Sequence, residues 1–219
     1  MDTLFGLLVL NMEALIILAT VINMEYEKAS NHILELLKTR LSPLLFYHSY
    51  EHTLSVLKAV IEISWDENIQ SHEDLILLKT AAVYHDCGFL NTYEIDSEEE
   101  SCKIAKEILP EFDYNSFQIE SVCKLIMKTK MPQTPETLLE KILCDADLNY
   151  LGQDDFIIIG NKLLRELNAM GKNISEKEWN KLQIDFLEAH HYWTSSVISK
   201  RENKKAEHLQ RLWQIVKDY

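Results

Sequence analysis

The chain has 219 residues, enough for one domain with a large core, and 47% of them are hydrophobic against 26% charged, the balance of a folded protein. Its 22 Lys and Arg face 35 Asp and Glu, a net charge of −13, so a phosphate polymer is repelled and a nucleic-acid partner is not expected. Five glycines and four prolines are too few for the many turns of a sandwich or barrel, which leaves helices.

The chain opens with an apolar stretch, LFGLLVLNMEALIILATVI over residues 4–22. Its length approaches that of a bilayer span, but Asn11 and Glu13 stand near its middle, where a carboxylate is costly. No positive residue precedes it, against a secretory signal. Three readings compete: a helix packed on the domain, a membrane anchor, or an extension ahead of a start at Met24. The expectation is an extension or extra helix over 1–23, with membrane contact through 4–22 the disfavoured alternative, and one domain over 24–219.

Apolar residues at helical spacing predict a helix from Tyr26 to Leu41, stopped near Ser42-Pro43, and a second from Tyr50 to Trp65. Ser71 with Asp74 opens a third that reaches His85-Asp86, with Gly88 as its stop. Ser97 and Glu100 read as a capping box for a helix ending at Leu109-Pro110, and a further helix spans Ser116 to Lys128. Thr134-Pro135 supplies a cap and first-turn proline for the helix carrying Asp145 and Asp147. Asp154 or Asp155 begins the next, which ends near Gly171. Ser175 and Glu178 cap a long segment running through His190 to Ile198, and a last helix covers Glu202 to Val216. No strand pattern rivals these signals, so the predicted fold class is an all-α bundle. The four cysteines form no CxxC pair and sit in apolar runs, which suggests reduced core thiols and a cytoplasmic location.

Three elements carry groups capable of chemistry. His48 and His52 are four apart on the start of a helix, about 40° apart around its axis, a spacing that suits two ligands, a ligand and an acid, or two half-exposed polar residues. The run LILLKTAAVY leads straight into His85-Asp86, where burial is costly unless backbone bonds or a cation satisfies the pair. Asp145 and Asp147 interrupt the apolar run ILCDADL and point in different directions, one toward the interior and the other toward a cap, a partner or solvent.

The ordered series of His, His-Asp and Asp on apolar helices resembles the histidine–aspartate (HD) superfamily of metal-dependent phosphohydrolases. The stretches AAVYHDCGF, TKMPQTP, CDADLNYLGQDDF and FLEAHHYWT are similar to a bacterial group of HD phosphohydrolases, and the likeness runs from about Tyr26 to Leu212. The resemblance implies an HD-type helical bundle in which His52, His85, Asp86 and Asp147 hold a divalent ion: Mn, Mg, Co, Ni, Fe or Zn. It favours Asp147 over Asp145 because relatives with this D-A-D stretch use its second acid. Tyr47, His48 and His52 also match the YHxxxH segment of cyclic-nucleotide phosphodiesterases, which makes His48 the proton donor.

No histidine stands between His85 and His190, so a single ion is the simpler expectation. The stretch after Asp86 lacks the acidic pair of ppGpp hydrolases and the Gly-Tyr-Pro of the cyclic-di-GMP class. What the resemblance implies is hydrolysis of a small phosphoester, a nucleotide or cyclic nucleotide, by water activated at the metal with help from Asp86. Thr129, Lys130 and His190 are the expected substrate-binding residues. The alternative is a non-catalytic HD module that senses a nucleotide or partner.

Overall fold

The computed structural model describes residues 24–92 and 97–217, and the apolar segment 1–23 lies outside them. The described residues form helices and turns with no strand. The helices are α1 (Tyr26–Arg40), α2 (Tyr50–Asp66), α3 (His72–Tyr84), α4 (Ser97–Ile108), α5 (Ser116–Met127), α6 (Leu138–Asp147), α7 (Phe156–Ala169), α8 (Glu176–Ala189) and α9 (Ser195–Lys217). Short 3-10 turns cover Cys87–Leu90, Leu109–Phe112 and Asn149–Gly152. None of these helices is long and apolar enough to cross a membrane.

α3 is the axis of the bundle. Every residue from Ile76 to Tyr84 except Lys79 is buried, a pattern that demands neighbours on all sides. α1, α2, α5 and α6 supply them, while α4 packs on α5 and α9 on α8. Thr80, fully buried, satisfies its hydroxyl with the Ile76 carbonyl and the Tyr114 hydroxyl. The four cysteines are free and buried.

Caps set most helix starts. Ser49 accepts the His52 amide at the head of α2, and Ser71 accepts that of Asp74 on α3. Asn115 with Gln118 and Ser175 with Glu178 form full capping boxes.

Four boundaries differ from the sequence expectation, each for a physical reason. α6 begins at Leu138, because Thr137 and Glu140 close a reciprocal box that displaces Thr134-Pro135. Glu100 does not reach back to cap α4; its carboxylate takes Asn91 and Lys103. Gly88 is not a left-handed helix stop: it lies within the 3-10 turn, and a Cβ there would stand 2.0 Å from the Ser97 carbonyl oxygen. The segment from Ser175 to Ile198 is not one helix. α8 ends at Ala189 and α9 starts at Ser195, because groups from other helices take over the backbone of 190–194. The Asp145 carboxylate accepts the amides of Trp193 and Thr194, and Lys205 donates to the His190 carbonyl.

Ser101 ties α4 to the end of α3. Its hydroxyl donates to the His85 carbonyl at 2.7 Å and accepts the Gly88 amide at 2.8 Å, all of it buried. Ser101→Ala leaves both backbone groups unpaired and is expected to lower the unfolding free energy by about 2–4 kcal/mol, measured by urea denaturation.

Candidate metal centre

Four side chains from three helix ends converge. Ser49 caps the first turn of α2 and so fixes His52. His85 and Asp86 emerge where α3 stops, held by Ser101. Asp147 is the last residue of α6. Ligand-capable atoms of His52, His85 and Asp147 lie within 4.8 Å of one another. Asp86 joins them through Oδ2, which is 3.1 Å from His85 Nε2 and 3.4 Å from His52 Nε2. Asp147 Oδ1 is 3.2 Å from His52 Nε2 and 3.6 Å from His85 Nε2.

The hydrogen bonds make this cluster deficient in positive charge. His85 is 1% exposed, and its Nδ1 donates to the Ala82 carbonyl at 2.8 Å, so whenever the ring is neutral the lone pair sits on Nε2. That lone pair faces His52 Nε2 at 3.4 Å and two carboxylates. Asp86 Oδ2 is buried without a hydrogen-bond partner despite its proximity to both rings. Burial opposes charge on His85, yet the Asp86 carboxylate prevails and holds its pKa well above the ordinary histidine range. Burial likewise opposes ionisation of Asp86, and His85 and His52 overcome it, so its pKa falls well below the usual carboxylate value. The donor set suits a divalent cation. Two ligands held about 2.1 Å from one ion at tetrahedral or octahedral angles stand roughly 3.0–3.4 Å apart, close to most of these separations.

His48 lies beside the cluster on a different support. Its Nδ1 pairs with Glu166 Oε1, while Glu166 Oε2 accepts the Tyr47 and His48 amides at 2.8 and 3.1 Å. Glu166 is 1% exposed. Phe89, from the Gly88 turn, stacks on the His48 ring with centroids 4.2 Å apart. Glu166 did not figure among the sequence candidates. The available signal was a charge on the apolar stripe of α7, where Phe156, Gly160 and Glu166 are the buried positions.

A cavity of about 390 Å³ opens against His48, Asp86 and Asp147, and Thr129 also lines it. Lys130 and His190 do not line it. The Lys130 ammonium contacts Glu99 at 2.5 Å. His190 is wedged between Phe186 and Tyr192, and neither ring nitrogen has a hydrogen-bond partner among the described residues. Asp145 is fully buried and serves the loop: it accepts from the Trp193 and Thr194 amides and from the Thr194 hydroxyl at 2.6 Å.

The two acids of α6 therefore predict different losses. Asp145→Ala strips three donors and is expected to cost about 3 kcal/mol or more in urea unfolding. Asp147→Ala frees no backbone donor, so it should cost less in urea unfolding than Asp145→Ala while bound Mn²⁺, measured by elemental analysis, falls away. His190 makes a separate prediction. Burial, then the charges of Lys205 and His191, push its pKa down to about 3 from 6.5. As pH falls through that window the unfolded chain binds a proton that the folded chain refuses, so stability declines by up to about 1.4 kcal/mol per unit. Thermal melts between pH 7 and 4 should show a shallower decline in His190→Phe.

Residues 49–148 match the HD domain family. The match begins at the Ser49 cap and ends just after Asp147; His48 and Glu166 fall outside it. Comparisons with curated proteins and with solved structures give no match. The matched stretch, just under half of the chain, holds His52, His85, Asp86 and Asp147 and is similar to the HD domain family, whose members are generally metal-dependent hydrolases.

Proposed function

We infer that the protein hydrolyses a small phosphoester with a divalent ion held by His52, His85, Asp86 and Asp147. The observation that carries this reading is the convergence of His85 Nε2, whose ring is held through Nδ1, with two carboxylates beside a cavity large enough for a small ligand. A divalent ion bound there supplies Lewis acidity toward a phosphoryl oxygen and makes water a better nucleophile at neutral pH. The other contributions come from the chain itself.

Asp86, which reaches the cavity, is the acceptor for the proton of an attacking water. His48 is the general acid. Glu166 holds Nδ1, so Nε2 is the ring nitrogen left to protonate the departing oxygen. The stack on Phe89 and the two amide bonds to Glu166 fix the plane in which that proton is delivered. This pairing supports the reading of the YHxxxH segment as acid plus ligand. Thr129 lines the same cavity, which supports its reading as a contact to the ester. A nucleotide or cyclic nucleotide is the substrate the sequence resemblance suggests.

The test uses bis(p-nitrophenyl) phosphate with Mn²⁺, Mg²⁺, Co²⁺, Ni²⁺, Fe²⁺ or Zn²⁺. Hydrolysis should require one of these ions. Asp86→Ala should lose both turnover and bound metal while keeping its helical circular dichroism. His48→Ala and Glu166→Gln should each slow turnover about a hundredfold or more with metal retained. Native rates in Asp86→Ala would refute the centre, and loss of metal in His48→Ala would make that residue a ligand. Ligand binding with no turnover under any ion would favour a sensor module.

A further inference from the structure

The cavity has two unlike ends. His48, Asp86 and Asp147 stand at one, while Leu148, Leu151, Phe156, Leu163, Leu182 and Phe186 make most of the remaining wall, in which Gln183 and Trp179 are uncharged polar exceptions. No lysine or arginine lines it. Residues 1–23, 93–96 and 218–219, which the structure does not describe, contain neither, so every such cation of the chain is accounted for. Apart from the centre's own carboxylates and His48, the charged residue on its surface among the described residues is Glu98, an acid. The adjacent cation, Lys130, is paired with Glu99.

This lining restricts what can enter. A divalent ion held by His52, His85, Asp86 and Asp147 would offset the charge of one phosphoryl group. A second would carry its charge into a space of leucine and phenylalanine beside an acid, with no counter-ion to offset desolvation. Resting on the phosphohydrolase reading, we propose that the substrate bears a single phosphoryl group on an uncharged apolar body, alkyl or aryl, seated between α7 and α8. This departs from the nucleotide expectation in preferring an alkyl or aryl body to a nucleoside, and it excludes polyphosphates.

Binding tests this apart from catalysis. Methyl-, butyl-, octyl- and phenylphosphonate, adenosine monophosphate and adenosine diphosphate are titrated by calorimetry into protein held in saturating free Mn²⁺. Affinity should rise about fourfold for each methylene that enters the cavity, and the phenyl arm distinguishes an aromatic from an aliphatic preference. The diphosphate should bind no more tightly than methylphosphonate. A flat chain-length series, or a preference for the diphosphate, overturns the proposal. Leu182 is 47% exposed on the cavity wall, so Leu182→Lys places a cation there without disturbing the core. The variant should lose most of the octyl-over-methyl gain and bind the diphosphate more tightly at unchanged Mn²⁺ content; unchanged ratios count against the proposal. The matching p-nitrophenyl esters separate the two layers. Chain-length-dependent binding with no hydrolysis of any ester sinks the hydrolase reading and leaves the cavity assignment standing. Metal-dependent hydrolysis indifferent to the apolar body does the reverse.

Discussion

A lone pair with nowhere to go organises this protein. The donation of His85 Nδ1 to the Ala82 carbonyl commits the ring to one tautomer, and its other nitrogen then meets only acceptors and a second imidazole. Such a cluster is unfavourable in a buried place unless positive charge arrives, either as protons on the rings or as a bound cation. The surrounding construction keeps the groups from drifting apart: Ser49 holds the turn bearing His52, and Ser101 clamps the chain where α3 ends. Caps and clamps that would elsewhere be matters of stability here set the spacing of ligands.

The two acids of α6 show how one helix divides its work. Residues two apart are rotated by about 200°, so Asp145 and Asp147 look to opposite sides. Asp145 binds the extended segment between α8 and α9 and accounts for the helix break there. Asp147 turns to the histidines. α8, one wall of the cavity, is thus anchored through the helix that supplies a member of the cluster, and the cavity and the centre share a frame.

The helical class was legible from periodicity, and His85-Asp86 and the two acids of ILCDADL stood out because each interrupts an apolar run; the choice of Asp147 over Asp145, and the weight given to His52, came from the resemblance. What failed was decided by distant partners. Nothing local says that 190–194 should leave the helix, since the groups that capture its backbone are Asp145 and Lys205, one of them far away in sequence. Lys130 looked free beside Thr129 until α4 brought Glu99 to it. Glu166 was visible as a charge on a buried stripe, but its partner stands 118 residues earlier, and spacing carries no trace of such a pairing. At α6 two competing start signals sat three residues apart, and the one with a reciprocal glutamate won.

Gly88 carries a wider consequence. The Ser97 oxygen occupies the space its side chain would need, and the same turn presents Phe89 to the His48 ring. Any larger residue there pries α4 away, and Ser101 with it, loosening the His85 anchor and the His48 stack in one stroke. A lesion at a position that touches neither ion nor ester would therefore masquerade as a defect of chemistry, and a genetic screen for lost activity would recover it alongside the ligands themselves.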